Sequence, residues 1–290
     1  MRYLKIFIQI SNTIITKPTK FFIFVVISLF VLFFQAYMHN FNIVFIIMFS
    51  IFAVSTASSW IGRLNLFYLK FSFVSSDRFF ANKISTYRIL VENSKDAISY
   101  SITCANDTDS KSIPILNDYQ REIISLEYKY PKRGEYKIPK LKISSLFPLP
   151  HELFYKYEKL DNMIMVFANP IGKSIFSTKL YNQNIRGEYD DFDGIRRFKD
   201  GENLSLIHWA SYAKNQQLMS KEFIFKEQEH IFKFDIKSMN GDYESRLSQL
   251  TLWVLECEKA KFDFTIDLGY EILDSKKGDI YEILTKIAKY

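Results

Sequence analysis

The sequence is poor in the residues that build common catalytic and cofactor sites. It has nine glycines in 290 residues, and none of them forms a glycine-rich phosphate loop, which argues against nucleotide binding of that kind. Its four histidines and two cysteines are scattered, without CxxC spacing, and no serine or cysteine lies in a nucleophile motif. We therefore expect a protein that is not an enzyme, that has no cofactor, and whose Cys104 and Cys257 are reduced core residues.

Acidic residues are absent from the first 62 positions. The cations there, Arg2, Lys5, Lys17 and Lys20, supply four of the six net positive charges, which leaves 34 cations against 32 acids in the rest of the chain. Nucleic-acid binding needs a clustered basic face, and a nearly neutral remainder offers none. The charge distribution therefore argues against nucleic acid as a partner and makes the basic N-terminus a candidate membrane-orientation signal.

Two apolar segments, 21–38 and 41–61, carry no charge. Each approaches the ~20 residues that a helix needs to cross a ~30 Å hydrocarbon core. Only His39 and Asn40 separate them, so we predict a transmembrane hairpin. Cations flank the hairpin on both outer sides and are absent from its turn, which by the positive-inside rule places both termini in the cytoplasm.

Two other interpretations of the apolar segments were weighed. A cleaved secretory signal has a shorter apolar region and is not followed at once by a second one. A buried helix pair of a soluble protein shows an apolar stripe, whereas these segments are apolar on all sides. We therefore assign residues 1–62 to a cytoplasmic N-terminus and a transmembrane hairpin.

The next part of the chain, residues 63–160, has the period of β-strands. Leu69, Phe71 and Phe73 alternate with polar residues, and the same alternation recurs along the segment between turn-forming Asn-Asp and Arg-Gly pairs. Several short half-buried strands separated by regular turns are typical of a β-sandwich. The sequence predicts a small sandwich domain here.

Residues 161–290 change to longer apolar runs and helical periodicity. Strands are predicted at 163–168, 231–236 and 262–268, and helices after Asp242 and from Gly278 to Tyr290. Leu247, Leu250, Val254 and Cys257 form one stripe at helical spacing, which predicts a core face. Alternating strands and helices indicate a partial parallel α/β layer.

One segment, residues 186–223, combines acids, arginines, turn glycines and an aromatic anchor without a long apolar run. It resembles the signature of the domain of unknown function 58 family, which reads roughly glycine, acidic pair, Leu/Ile-Arg-x-Tyr/Phe, Gly-Asp, Ile-His/Asp-Trp-Lys, Ala-Arg and Val-Lys-Glu-Phe. We propose ten residues as an interaction or structural signature, of which all but Arg197, at the position that the pattern leaves free, match the family: Gly187, Glu188, Asp190, Asp191, Arg196, Arg197, Gly201, His208, Trp209 and Lys221. Departures from the pattern include Ser205 and Ala210, each of which removes a cation.

The resemblance implies a bacterial inner-membrane protein whose C-terminal α/β layer is von Willebrand factor A-like. It also implies protein partners, namely a MoxR-type AAA+ ATPase and a transglutaminase-like membrane protein, in addition to the lipid bilayer. The overall expectation is an α+β membrane protein that acts as a non-catalytic scaffold or adaptor in cell-envelope processes. Resemblance within a family is an associational argument for function.

Metal binding was weighed at the end of the predicted strand 231–236. A metal-binding von Willebrand A domain presents Asp-x-Ser-x-Ser there, as hard oxygen ligands for Mg²⁺. Here the matching positions are Asp235, Lys237 and Met239, so an ammonium and a thioether replace both hydroxyls. We expect no metal at this position and a local capping role for Asp235.

Alternatives remain open for the signature segment. Its acids, with His208, could serve a divalent-metal-dependent hydrolase or a metal-dependent binding domain. They could equally form an ionic network at a domain junction, with Trp209 as a buried anchor. Because adjacent residues of an extended segment point to opposite sides, one of Arg196 and Arg197 should pair with Asp190 or Asp191 while the other faces outward. We expect Arg196 to be the paired one.

Overall fold

The computed structural model of the chain describes residues 10–177, 191–199, 202, 204–224 and 231–290. Contacts divide the chain into two compact units, one ending at Phe167 and the other beginning at Ala168. The first unit contains an apolar helix pair and a β-sandwich, and the second contains a β-hairpin and a small α/β layer. The protein is therefore of the mixed α+β class that the sequence predicts.

Two helices, α1 (Lys20–His39) and α2 (Asn42–Phe67), are long and apolar enough to cross a membrane. The turn between them depends on Asn40, which adopts the left-handed conformation with φ of 51° and donates its backbone N–H to Ala36 O. Asparagine tolerates this region better than most residues. The predicted pair of apolar helices is confirmed, and α2 continues to Phe67, beyond the predicted end at residue 61.

The last turns of α2 lie inside the first unit's core. The buried residues of this end include Ser58, Gly62, Asn65 and Leu66. The Asn65 side chain donates to Tyr100 O at 2.8 Å and to Ser145 Oγ at 3.1 Å, and its Oδ1 accepts the Tyr100 N–H at 2.9 Å. The helix pair and the sandwich thus form one packed unit, whereas the sequence analysis assigned them to separate domains.

Three sheets build the sandwich unit, with strand orders β1-β10-β9-β5-β6, β2-β4-β7 and β3-β11-β8. Their strands are β1 (Ile15–Pro18), β2 (Leu69–Ser76), β3 (Phe79–Phe80), β4 (Ile84–Asn93), β5 (Ser99–Ala105), β6 (Ser110–Leu116), β7 (Arg121–Lys129), β8 (Gly134–Lys137), β9 (Leu141–Ser145), β10 (Glu152–Glu158) and β11 (Met163–Phe167).

One apolar core lies between the five-stranded sheet and the β2-β4-β7 sheet. Strand β4 contributes Tyr87, Ile89 and Val91, all fully buried, and β5 faces them from the other sheet with Ile102 and Cys104. Alternate residues of these strands point away from the core, as period-two patterning requires. Two sheets that share one core make a sandwich, which confirms the predicted architecture.

Both cysteines are free and buried. Burial raises the pKa of Cys104 and of Cys257 to about 12, so their thiolates are not populated near neutral pH. Their environment fits the structural role predicted from the sequence.

Strand β11 belongs to the first unit. It pairs in parallel with β3, where Val166 faces Phe79, and antiparallel with β8, where Ile164 faces Tyr136. The sequence analysis placed this strand in the second domain because its continuous apolar run is typical of a buried strand of an α/β layer. The run is instead buried by the sandwich, and the boundary between units falls after Phe167.

The C-terminal end of α2 is capped by Lys95. Its ammonium donates to Leu64 O and to Asn65 O, both at 2.9 Å, where the helix exposes unpaired carbonyls. Desolvation lowers the pKa of Lys95 from its ordinary value to about 8. The charged form is therefore disfavoured in the folded protein relative to the unfolded chain.

This shift predicts a pH dependence of stability. Between pH 8 and the ordinary lysine pKa, the unfolded chain holds a proton on residue 95 that the folded protein partly releases, so stability gained from this group rises with pH. We expect the unfolding free energy of wild type, measured with denaturant in detergent, to rise relative to that of Lys95→Met from pH 7.5 to 10. A difference that is flat or falls would contradict the assignment.

The second unit contains β12 (Asp191–Arg197), β13 (Met219–Ile224), β14 (Ile231–Asp235), β15 (Asp263–Asp267), β16 (Ile272–Asp274), α3 (Trp209–Asn215), α4 (Tyr243–Ala260) and α5 (Ile280–Lys289). Strands β14 and β15 are parallel with α4 between them, and β16 returns antiparallel. Leu247, Leu250, Val254 and Cys257 are fully buried on α4, which confirms the predicted core stripe. Asp242 occupies the N-cap position, but it accepts from Ser245 Oγ and makes no side-chain bond to the backbone.

The two faces of this small sheet differ. Phe232, Phe234, Phe264 and Ile266 are buried on the face covered by α4, and Trp253 of α4 stacks on Phe234 with ring centroids 5.0 Å apart. The other face carries Lys233, Asp235, Thr265 and Asp267. Strands that alternate in this way suit a sheet with one wet face, whereas a sheet covered on both faces has apolar residues on both. The arrangement described here is a two-layer α/β unit.

Candidate functional site

The signature segment forms a β-hairpin. Strands β12 and β13 pair antiparallel, with Arg196 opposite Ser220 and Arg197 opposite Met219, and the register shifts at Gly194. Helix α3 precedes β13 and is joined to it by the bond from His208 N to Met219 O, at 2.8 Å. Six of the ten predicted signature residues fall in described positions; Gly187, Glu188, Asp190 and Gly201 lie outside them.

Arg196 is the paired arginine. Its Nη1 lies 2.6 Å from Glu202 Oε1 and its Nε lies 3.7 Å from Glu222 Oε1. The hydrogen bond from Arg196 holds the pKa of Glu202 below its usual range. The carboxylates that hold Arg196 are therefore Glu202 and Glu222. Of the partners expected from the sequence, Asp190 lies outside the described residues and Asp191 is described only as the first residue of β12.

The network around Glu202 is only partly satisfied. Ser220 Oγ also lowers the pKa of this carboxylate, although no hydrogen bond joins the two groups. Consequently Glu202 Oε2 and Ser220 Oγ are both buried without a hydrogen-bond partner in the part of the chain that the structure describes. A half-satisfied buried network makes Arg196 important for the hairpin, because its loss would leave the carboxylate unpaired.

Arg197 points to the other side of the hairpin. It is exposed and makes no ion pair with any described carboxylate. Residues opposite or two apart in an antiparallel pair share a face, so Arg197 lies on one side with Ile195, Met219 and Lys221. The two arginines differ in the predicted way: Arg196 pairs with carboxylates and Arg197 faces outward.

His208 serves as the N-cap of α3. Its Nδ1 accepts the Ser211 backbone N–H at 3.2 Å and lies 2.8 Å from Ser211 Oγ. A serine–histidine contact of this length has the spacing of a nucleophile–base pair. Here the same Nδ1 lone pair also satisfies a free N–H of the helix start, which is the chemistry of a cap. The histidine thus organises α3 and its junction with β13.

Trp209 is not the buried anchor predicted from the sequence. Its side chain is 62% exposed and meets Tyr212, itself 42% exposed, in an edge-to-face contact with centroids 6.1 Å apart. The prediction was wrong because α3 is only seven residues long and buries none of them, so its first-turn aromatics stand on the surface. Trp209 and Tyr212 form an exposed aromatic pair, and Leu218, just before β13, is 44% exposed.

The exposure of Trp209 predicts that its removal hardly affects folding. Trp209→Ala should change the free energy of unfolding by no more than about 0.5 kcal/mol, as surface substitutions do. Trp253→Ala is the matched control, because Trp253 is 9% exposed and donates its Nε1–H to Lys173 O at 2.9 Å. That variant should lose about 3 kcal/mol in denaturant unfolding. Equal losses for the two tryptophans would show that Trp209 is an anchor after all.

At the former candidate metal position, Asp235 caps locally. Its Oδ1 accepts the Lys237 backbone N–H at 2.8 Å, and Ser238 Oγ donates to Asp235 O at 2.8 Å. No group of three or more histidine, cysteine, aspartate or glutamate residues able to hold a metal occurs among the described residues. A cavity of about 510 Å³ lies beside Asp235, with Lys173, Lys233, Gln249 and Trp253 among its lining residues.

Sequence reasoning missed a second polar cluster, at the junction of α2 with β10. Ser59 Oγ donates to Glu152 Oε2 at 2.6 Å, and His151 Nε2 lies 3.4 Å from Ser59 Oγ. His151 is 1% exposed, and its Nδ1 lies 3.2 Å from Leu149 O. The Ser59 hydroxyl has one proton, and its shortest contact is with Glu152 Oε2, compared with 3.3 Å to Ser55 O, so the cluster joins helix to strand. Its only sequence signal was polar residues at the end of an apolar segment.

No protein-family model and no curated protein matches the chain. Among solved structures, a CARDB domain from Pyrococcus furiosus is similar at 10% identity and a TM-score of 0.21, over 32% of this chain and 94% of that one. The ASH/PapD-like domain 7 of human CEP192 is similar at 10% identity and a TM-score of 0.22, over 37% and 87%. Similarities this weak carry no argument about this chain.

Proposed function

We propose that the protein is a membrane-anchored, non-catalytic adaptor of the bacterial inner membrane. In this proposal α1 and α2 cross the bilayer as a hairpin, and both termini and both folded units are cytoplasmic. The cations before α1, together with Arg63 and Lys70 after the apolar part of α2, support this orientation, since the turn at His39 and Asn40 has no charged Lys or Arg.

The packing of α2 supports a scaffold role. Hydrogen bonds from Asn65 and Lys95 and the contact of Ser59 with Glu152 attach the helix end directly to the sandwich. A domain fixed to its anchor in this way holds a constant position relative to the bilayer, unlike a domain on a flexible linker. A sandwich unit held at a constant position above the membrane is compatible with an adaptor.

The observation that carries the proposal is the exposed side of the signature segment. We define the docking surface as Arg197, Trp209, Tyr212, Leu218 and Lys221. Tryptophan, tyrosine and arginine dominate the binding energy of protein interfaces. An exposed arginine without a carboxylate partner among the described residues, in the same segment as exposed aromatics, therefore suits a protein partner with acidic and apolar groups.

The partner that the family resemblance suggests is a MoxR-type AAA+ ATPase, with a transglutaminase-like membrane protein in the same assembly. The same resemblance suggests that the β14-α4-β15-β16 layer is part of a von Willebrand A-like domain. The parallel β14 and β15 with α4 between them are compatible with this assignment. Both statements rest on resemblance and are tested through the docking surface.

The test separates docking from folding. Full-length chain carrying Arg197→Ala should melt within about 0.5 kcal/mol of wild type, because Arg197 is exposed and unpaired among described residues. It should nevertheless lose the ATPase that wild type captures from native membranes, and Trp209→Ala should behave in the same way. Arg196→Ala is the matched control: it should destabilise the protein, because Glu202 and Glu222 lose their partner.

The outcomes bear directly on the proposal. Capture of an ATPase by wild type but not by the two exposed-residue variants supports the adaptor. Capture that is unchanged in both variants, or absent from wild type, removes the residue-level basis for the docking surface. A folded Arg197→Ala variant with intact capture would reassign the segment to a purely structural role.

A further inference from the structure

Gln35 is a polar residue in the apolar helix α1. It lies fifteen residues after Lys20, about 22 Å along the helix axis and so within a hydrocarbon core ~30 Å thick. Its side chain is exposed, and its amide makes no hydrogen bond to any described residue. The hydroxyls of Ser28, Ser50 and Thr56 differ, because each donates to the carbonyl four residues earlier at 2.8 Å.

An unpaired amide in hydrocarbon is unfavourable and seeks a hydrogen-bond partner. Within the chain, α2 does not supply one. The face of α1 that packs on α2 lies elsewhere on the helix: Ala36 is fully buried there, and Phe33 contacts Phe45 with ring centroids 6.2 Å apart. The described helix pair therefore leaves the Gln35 amide available to a partner from outside it.

The face that carries Gln35 has the spacing of a helix-packing seam. Phe24, Ser28, Val31, Gln35 and Met38 are separated by four, three, four and three residues, the repeat that keeps one stripe facing a parallel helix. The apolar members of this seam are among the most exposed of α1: Phe24 is 64%, Val31 62% and Met38 70% exposed. Val31, Gln35 and Met38 also line a groove of about 560 Å³ that is wide enough to receive side chains.

We propose that two copies of this chain pack in the membrane through the α1 seam, with reciprocal hydrogen bonds between their Gln35 amides. All copies enter the bilayer with the same orientation, so their α1 helices are parallel and their Gln35 residues lie at one depth. An amide is both donor and acceptor, and is therefore complementary to its own copy across a two-fold axis. A different protein would need a polar group of its own at this depth.

The proposal uses one part of the proposed function, the insertion of the helix pair into a bilayer. It does not depend on which side the termini occupy or on the docking surface. Dimerisation would present two docking surfaces per assembly, so a multimeric partner would be held through both, and its apparent affinity would rise without any new contact.

The first test measures dimerisation of full-length chain in reconstituted bilayers, by fluorescence energy transfer as the protein is diluted with lipid. Wild type should be dimeric at high protein density. Gln35→Leu should weaken the dimer by about tenfold, within the range measured for interhelical side-chain hydrogen bonds, and Gln35→Asn should retain most of the association. Ser50→Ala is the control, because Ser50 bonds only within its own helix.

The second test maps the face by disulfide cross-linking. Met38→Cys lies on the seam, whereas Tyr37→Cys is at nearly the same depth, is similarly exposed and points about 100° away around the helix. Native Cys104 and Cys257 are buried and give little background. Met38→Cys should cross-link readily and Tyr37→Cys should not.

Several results would overturn the proposal. Wild type that is monomeric at every dilution, Gln35→Leu that dimerises like wild type, or equal cross-linking at positions 37 and 38 would each do so. Alkaline extraction serves to separate the premises. If the chain washes off the vesicles, both the membrane hairpin and the dimer are excluded. If the chain stays inserted but is monomeric, only the dimer is excluded.

Discussion

Gly62→Ala is expected to destabilise the protein by about 1–3 kcal/mol through overpacking, although alanine is ordinarily the better helix former by about 1 kcal/mol. A Cβ at residue 62 would lie 2.1–2.5 Å from three ring carbons of Phe154. Phe154 is fully buried in the sandwich core, so its ring cannot move aside without displacing neighbours. The sign of the effect therefore distinguishes helix packing against β10 from a free transmembrane helix.

Thermal or denaturant unfolding in detergent measures the effect. Gly194→Ala is the control, because nothing lies within 4 Å of an added Cβ at that position. A second variant, Gly62→Ala with Phe154→Leu, should regain part of the lost stability by making room for the methyl group. If Gly62→Ala alone is neutral or stabilising, α2 does not pack on β10 as described.

Asn65→Leu should cost about 1–3 kcal/mol. Asn65 is 3% exposed and makes three hydrogen bonds, two to the backbone of Tyr100 and one to Ser145 Oγ. Leucine has a similar size but removes the acceptor of the Tyr100 N–H, at about 1–3 kcal/mol. Tyr100 O and Ser145 Oγ keep the hydrogen bond between them, at 3.1 Å. The loss should be accompanied by faster proteolysis of the sandwich, because the same bonds attach it to α2.

Thr56→Ala is the comparison for Asn65→Leu. The Thr56 hydroxyl donates only to Phe52 O, within its own helix, and lies on the exposed part of α2. It should melt within about 0.5 kcal/mol of wild type. Similar melting of Asn65→Leu and Thr56→Ala would mean that the polar junction contributes little and that the anchor and the sandwich are only loosely joined.

Periodic features were predictable because they are local properties of the chain. Alternation placed Tyr87, Ile89 and Val91 in the sandwich core, and helical spacing placed Leu247 and Val254 on the buried face of α4. In each case the spacing of apolar residues specifies which side of an element is buried, whatever that side packs against.

Features that depend on contacts between residues distant in sequence were not predictable. Gly62 and Asn65 look like ordinary residues near the end of an apolar segment, and their role appears only when β9 and β10 close over them. Trp209 looks like an anchor because large aromatics are usually buried, but a seven-residue helix does not bury its first turn. Whether a side chain is covered depends on neighbours that local sequence does not specify.

The sequence by itself determined the two apolar helices, their tight turn at Asn40, the strand pattern of the sandwich and the opposite orientation of Arg196 and Arg197. All of these follow from hydrophobic period or from backbone geometry within a few residues. Tertiary structure alone decided that Glu202 and Glu222 hold Arg196, and that α2 ends inside the sandwich. Such choices require segments distant in sequence to meet, and the free energy of their contact exists only after folding.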